Sequence, residues 1–332
     1  MNFRRWGYLA LSRVTYYQSV ASYTLKINNC VNYASHARSF SQKSNRQDKH
    51  IDYLYGHTVA IPALEQGRRA IHELLLFEGK AHLKKEKNII EKIVNLAKEK
   101  GIPIIKTDKG ELNNLTNNRP HQGVVLKASP LKSTPIQFLG KIERTNYITH
   151  GVEEHEFTMP EVGQPLWLAL DEIQDPQNLG AILRTAHFFG IDGIVICSKN
   201  SAPLSPVVSK ASAGALEVMS LHHTKSLLQF LSRSAEQGWT IVGAMAPPAT
   251  FPNQSNAGSD KNPLPLNQFS KSTSKPLILV MGNEGKGLRP LVRRLCSQQV
   301  FIPHLNPRSE SLNVSVATGI LIHGLLQERL GS

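Results

Sequence analysis

Apolar residues along this chain fall into short runs separated by stretches with helical spacing, and the alternation occurs in two series. In the first, from Ile51 to about Ala128, YLYG reads as a strand end, HTVAIPALEQ as a short helix and AIHELLLFEG as a strand. In EKNIIEKIVNLAKEKG the residues Ile89, Ile90, Ile93, Leu96 and Ala97 share one helical face, and Gly101 supplies the stop. IPII, a short helix around ELNNL and a closing strand GVVLKA complete an α/β unit over residues 51–128. Residues 129–164 carry Pro130, Pro135 and Pro160 among polar positions without sustained periodicity, which predicts a linker with an insertion. The second series fills 165–332. It predicts strand LWLALD, helix NLGAILRTAHFF, strand GIVIC, helix PVVSKASAG, strand ALEVMS, helix TKSLLQFLSRSAEQG and strand WTIVGA. Residues 247–275, rich in Pro, Ser, Asn and Gly, break the rhythm and read as a disordered surface insertion. Strand PLILVMG, helix LRPLVRRLC, strand QVFIP and a helix from Leu312 to Leu330 close the series. Strands separated by helices predict a mostly parallel α/β sheet covered on both faces.

Composition fits this picture. At 332 residues the chain is about twice a typical domain, and 40% apolar with 19% charged residues suffices for sizeable cores. No apolar run approaches the roughly 18 residues of a membrane span, so a soluble protein is expected. Cys30, Cys197 and Cys296 form no C-x-x-C pair, which argues against a disulfide framework and a cysteine zinc site and fits a reducing compartment. The net charge of +13 is uneven: residues 1–47 hold seven basic groups (Arg4, Arg5, Arg13, Lys26, Arg38, Lys43, Arg46) and no acid, leaving +6 for the remainder. Such a segment, without a long apolar run, reads as a mitochondrial transit peptide, with Arg38-Ser39-Phe40-Ser41 predicting a cut after Phe40. The alternative is a basic arm that stays attached and binds nucleic acid. The remaining charge permits an RNA partner.

Three segments, 171–193, 279–288 and 301–319, combine polar and glycine residues where a strand hands over to a helix. In open parallel sheets, such carboxyl-end crevices collect ligands. GNEGKG is neither a P-loop, since Leu288 follows Gly287, nor a dinucleotide fingerprint, since the spacing is G-x-x-G-x-G. Its glycines allow positive φ and close backbone approach, and Glu284 has few packing reasons to sit among them. Asn178 is placed to cap the following helix, on which Arg184 either snorkels or points into the crevice. Ser311 and Asn313 flank Leu312 at a helix start, as caps or as ligand contacts. His222 and His223 lack metal-ligand spacing and read as ordinary.

Together, NLGAILRTAHFFGIDG, VMGNEGKGL and IPHLNPRSESLN resemble motifs one to three of the SpoU (TrmH-like) RNA ribose 2'-O-methyltransferases of the SPOUT class. That resemblance covers roughly 166–330 and implies a trefoil-knotted, mostly parallel sheet; the unit at 51–128 resembles the family's small L30e-like RNA-binding domain. It further implies S-adenosylmethionine as cofactor, held by Gly282, Ile302 and Leu312. Arg184 is implied in activating the ribose hydroxyl, as a base or as an electrostatic stabiliser, with Asn178, Glu284, Ser311 and Asn313 in the catalytic site and no metal required. The implied substrate is a guanosine in mitochondrial large-subunit ribosomal RNA, methylated in the matrix. The rivals are a tRNA ribose methyltransferase and a catalytically silent ribosome-assembly factor. Family members are homodimers, a role open to the apolar face of the last helix (Val316, Ile320, Leu321, Leu325). In motif three HLNPRSE intervenes before Ser-Leu-Asn, a departure at the pocket rim. On this reading 51–128 is separable, and its deletion is expected to lower RNA affinity without unfolding the rest.

Overall fold

The computed structural model describes residues 51–79, 84–247, 263–269, 275–303, 305–306 and 311–327. The expected transit peptide and Cys30 lie outside these residues. In the first α/β unit, β1 (Asp52–Tyr55), β4 (Val124–Ala128), β2 (Ile71–Phe77) and β3 (Ile104–Thr107) form one sheet in that spatial order. The first two pairings are antiparallel and β2–β3 is parallel. Helices α1 (His57–Gln66), α2 (Lys84–Glu99) and α3 (Lys109–Leu115) cover it. Ile93 and Ala97, the inner turn of α2, are fully buried against Val59, Ala60, Ala63 and Leu64 of α1. At the start of α3 the Asp108 carboxylate accepts from the Glu111 amide at 3.0 Å, which satisfies a donor the helix cannot.

Residues 129–164 are not a linker. They carry β5 (Thr134–Leu139), β6 (Asn146–Gly151) and β7 (His155–Thr158), an antiparallel meander. Its signal escapes the sequence pattern because each strand has only one or two inward apolar positions, namely Ile136, Leu139, Tyr147 and Phe157. The meander is tied to the second unit by indole donors: Trp167 Nε1 to Tyr147 Oη and Trp239 Nε1 to the Gly140 carbonyl, both 2.9 Å.

The second unit runs β8 (Leu166–Leu170), α4 (Pro176–Phe189), β9 (Gly193–Cys197), α5 (Pro206–Ala211), α6 (Ala215–Val218), β10 (Leu221–Thr224), α7 (Leu227–Glu236) and β11 (Thr240–Met245). It continues with β12 (Leu264–Pro265), α8 (Leu266–Phe269), β13 (Leu277–Met281), α9 (Pro290–Leu295), β14 (Gln298–Phe301) and α10 (Val314–Leu325). The sheet order is β12-β14-β11-β13-β8-β9-β10-β5-β6-β7, parallel from β12 through β5. Every residue of β8, β9 and β13 is buried, as befits central strands covered on both faces. β8 lies between β9, which follows it directly, and β13, which arrives after an excursion to β11. The order therefore reverses at β8, and the loops leaving β8 and β13 emerge side by side.

Two sequence expectations change here. ALEVMS is not a strand: Gly214, at φ 88°, opens the helical turn α6, and the strand begins at Leu221. An apolar run this short reads equally as strand or buried helix. Within 247–275, β12 pairs with β14 and Phe269 of α8 is 3% exposed in the core, so this stretch contributes structure. Residues 248–262 and 270–274 lie outside the described ones. Among the described residues, no helix is long and apolar enough to cross a membrane.

Candidate functional site

β8 ends at Leu170, and Asp171 and Glu172 follow at its carboxyl end. The cap of α4 is Asp175, which accepts from the Gln177 amide at 2.8 Å, with Pro176 as first helical residue. Asn178 is therefore not the cap. It sits in the first turn, and its amide bridges two remote segments: Nδ2 donates to Glu284 Oε1 at 3.2 Å, and Oδ1 accepts from Asn313 Nδ2 at 3.0 Å. Asn313 also caps α10, accepting from the Ser315 amide at 2.9 Å. The three expected segments thus meet in one polar triangle, Asn178–Glu284–Asn313, whose apex Asn178 is hydrogen-bonded to each of the other two, at the carboxyl end of the parallel strands.

The glycine segment closes on itself. Asn283 and Gly287 exchange backbone hydrogen bonds of 3.0 and 2.9 Å, and Asn283 Oδ1 accepts from the Gly285 and Lys286 amides at 3.0 and 3.1 Å. Asn283 Nδ2 donates to the Glu172 carbonyl at 3.0 Å, fastening this turn to the strand-end loop. The three glycines differ in what constrains them. Gly287 alone has left-handed backbone, φ 66°. A Cβ on Gly282 would lie 2.4 Å from the Gly287 carbonyl carbon, so close backbone packing within the turn demands glycine there. A Cβ on Gly285 would meet nothing nearer than 3.7 Å.

A second tie runs beneath. Arg289 reaches back to Asp171, Nη2 to Oδ1 at 2.6 Å and Nε to Oδ2 at 3.0 Å, and lies 3.9 Å from Glu172 Oε1. The hydrogen bond to Asp171, opposed by burial, holds the Arg289 guanidinium above its ordinary pKa. Asp171 is 1% exposed, so this carboxylate needs its cation partner.

Ile302 is half-buried against the main core just past β14, and Leu312 is 48% exposed at the foot of α10. Ser311 is exposed and stands outside the triangle. Pro307 and Arg308 of the intervening loop lie outside the described residues. Arg184 is not part of the triangle either. Six helical residues from Asn178 place it about 120° around α4 and roughly 9 Å along it. It shares the exposed face with Gln177 and Phe188. Between α4 and α10 runs an open groove of about 440 Å³, lined by Thr185, Phe189, Val316, Gly319 and Ile320 among others. Val316 and Ile320 are 50% and 38% exposed and Phe188 75%, whereas Leu321 is buried in the subunit's own core and Leu325 packs against it.

Sequence reasoning passed over Asn283, Asp171 and Arg289. Asn283 carried a signal, an asparagine two residues before a glycine, as in side-chain-stabilised turns. The Arg289–Asp171 pair carried none, because its partners are 118 residues apart.

Comparison with known proteins adds to this geometry. The SpoU rRNA Methylase family matches residues 165–323, and the family described as RNA 2'-O ribose methyltransferase substrate binding matches 53–134. The human protein named rRNA methyltransferase 1, mitochondrial, is 37% identical over 285 residues, covering 85% of this chain and 74% of the human one. A 23S rRNA (guanosine-2'-O-)-methyltransferase of Pseudomonas putida is 30% identical, covering 84% of this chain and 97% of its own. Among solved structures, an AdoMet-bound rRNA methyltransferase from Sinorhizobium meliloti aligns with a TM-score of 0.60 at 22% identity, over 85% of this chain and 89% of that one. That last likeness speaks to fold alone.

Proposed function

The chain belongs to the SpoU rRNA methylase family, and from that premise we propose that it transfers a methyl group from S-adenosylmethionine to the 2'-oxygen of a guanosine ribose in mitochondrial large-subunit ribosomal RNA, in the matrix. The observation that carries this reading is the Asn178–Glu284–Asn313 triangle, which gathers three segments spanning 135 residues at one end of a parallel sheet. Residues 1–47 then act as the targeting segment, and 51–128 as the L30e-like module that holds RNA.

Gly282, Ile302 and Leu312 would hold the cofactor. The residues suit it: Gly282 adds no side chain at the carboxyl end of β13, and Leu312 leaves apolar surface exposed near the polar Asn313, as a mixed apolar and polar ligand requires. When bound, the cofactor supplies an electrophilic sulfonium methyl. The triangle orients the ribose, with Ser311 at its rim. A guanidinium keeps its proton in proteins, so Arg184 acts as a fixed positive charge that holds a flanking phosphate and stabilises oxygen charge as the hydroxyl proton leaves to solvent or phosphate. The trefoil knot is supported by chain order: after β14, outside β11, the chain returns to pack α10 on α4 beside β8. The groove between α4 and α10, with Val316, Ile320 and Phe188 exposed around it, is the proposed homodimer face. Arg184 stands beside it.

Mapping 2'-O-methylation across mitochondrial rRNA with and without the protein tests the reading. One large-subunit guanosine should lose its methyl group when the protein is absent and regain it when wild type is restored. An unchanged map overturns the assignment, and a methyl lost only from tRNA overturns the substrate.

A further inference from the structure

Arg69 is 4% exposed and lies where the 51–128 unit meets the methyltransferase unit. Its guanidinium grips Glu217 with two parallel hydrogen bonds, Nε to Oε2 at 2.7 Å and Nη2 to Oε1 at 2.9 Å. Nη1 donates to Asp52 Oδ2 at 2.7 Å and to the Ser129 carbonyl at 3.1 Å. Glu217 is 1% exposed, and its Oε1 also accepts from Ser209 Oγ at 2.8 Å. Neighbouring Arg68 donates to the Leu216 carbonyl at 3.1 Å and to that of Met219. Arg69 thus meets both carboxylates, while the half-buried Arg68 holds backbone carbonyls beside them and adds a second positive charge. Backbone closes around them: a Cβ on Gly214 would lie 2.2 Å from the Thr58 carbonyl oxygen of α1.

The join continues toward the site. Ser209 belongs to α5, which packs so closely on α4 that a Cβ on Gly180 would lie 2.4 Å from the Ala211 Cβ. Gly180 is two residues from Asn178. A chain of hard contacts therefore leads from Arg69 through Glu217, Ser209 and α5 to the first turn of the helix that carries the triangle.

We propose that Arg69 is a positioning residue for RNA methylation: its buried clamp on Glu217 locks the 51–128 unit at one distance and angle from the methyl-transfer site. The proposal rests on the methyltransferase reading above. A bidentate arginine–carboxylate pair fixes orientation as well as distance, and a buried one contributes geometry more than net stability. RNA held by the first unit then presents its nucleotide at a set offset. A loosely tethered unit would bring RNA near with no fixed register. Deleting 51–128 would take away the Arg69 partner of Glu217 and uncover that carboxylate, which keeps its hydrogen bond from Ser209 Oγ.

The test uses the full chain in four forms: wild type, Arg69→Met, Arg69→Lys and the double variant Arg69→Met/Glu217→Met. The double variant guards against misfolding, because it removes both clamp charges together. Each is assayed on a long rRNA fragment and on a short oligonucleotide centred on the methylated nucleotide. The double variant should raise KM for the long RNA about tenfold, the effect of lost effective concentration, while kcat and KM on the short one stay unchanged. Arg69→Lys should recover part of the loss. By calorimetry, wild type should melt in one transition and the double variant in two. Unchanged KM for the long RNA, or equal proportional losses on both substrates, overturns the proposal, as does a single transition in the double variant. If wild type methylates neither RNA, the methyltransferase reading fails first, visibly apart from the melting result.

Discussion

Alanine placed singly at Gly282, Gly285 and Gly287 separates two reasons for glycine from a position with neither, all in one six-residue turn. At Gly282 the new Cβ would sit 2.4 to 2.5 Å from the Gly287 carbonyl and the Leu288 amide, about 1 Å inside ordinary contact. Backbone cannot yield as a flexible side chain can, so the turn must open and give up the Asn283–Gly287 hydrogen bonds of 3.0 and 2.9 Å. Two such bonds at a net ~1 kcal/mol each come to about 2 kcal/mol, or roughly a 30-fold weaker Kd for S-adenosylmethionine. At Gly287 there is open space, but φ is 66°, and left-handed alanine costs roughly 1–2 kcal/mol. Gly285 has neither constraint, and its change should stay within about 0.5 kcal/mol. Titration calorimetry with S-adenosylmethionine should rank the losses Gly282→Ala, then Gly287→Ala, with Gly285→Ala near wild type. If Gly285→Ala weakens binding as much as Gly282→Ala, a ligand rather than the turn's own backbone is what excludes the side chain, and the reasoning fails.

Arg184→Ala should lower kcat about 100-fold or more, as losing one transition-state charge partner does, and leave cofactor affinity unchanged; normal turnover would remove Arg184 from the mechanism. Burial, helped by the charges of His155, His223 and Arg68, lowers the His222 pKa from 6.5 to about 4, and neither ring nitrogen has a hydrogen-bond partner among the described residues. The unfolded chain takes up this proton below about pH 6.5 and the folded one only near 4, so the stabilisation is full above 6.5 and falls by about 3 kcal/mol toward pH 4. His222→Phe should flatten that part of the urea-midpoint profile, and parallel profiles would exonerate the histidine. Val316→Glu, which puts a carboxylate into the groove between α4 and α10, should turn a dimer into a monomer in sedimentation; a persistent dimer would place the interface elsewhere.

What could be read from the chain alone followed from short-range regularities. The face formed by Ile89, Ile93 and Ala97, the unbroken apolar runs of the central strands, and the glycine and asparagine content of the loops all act over a few residues. They predicted nearly every element and the three site segments. Elements whose signal depends on distant packing were misread. The meander over 134–158 shows only a few inward side chains, and Leu264–Phe269 gains order from pairing with residues 300–301. ALEVMS, equally apolar in either reading, was decided by Gly214 against Thr58. At the site, residue types were legible and partnerships were not. Asn178 was expected as a cap, yet Asp175 caps, which frees the Asn178 amide to join Glu284 and Asn313. Local patterning thus determined which groups are present, because capping, turn formation and amphipathicity act within a turn or two. The tertiary structure alone decided which groups meet, since the strand order, the Arg289–Asp171 tie and the Arg69–Glu217 clamp join positions more than a hundred residues apart.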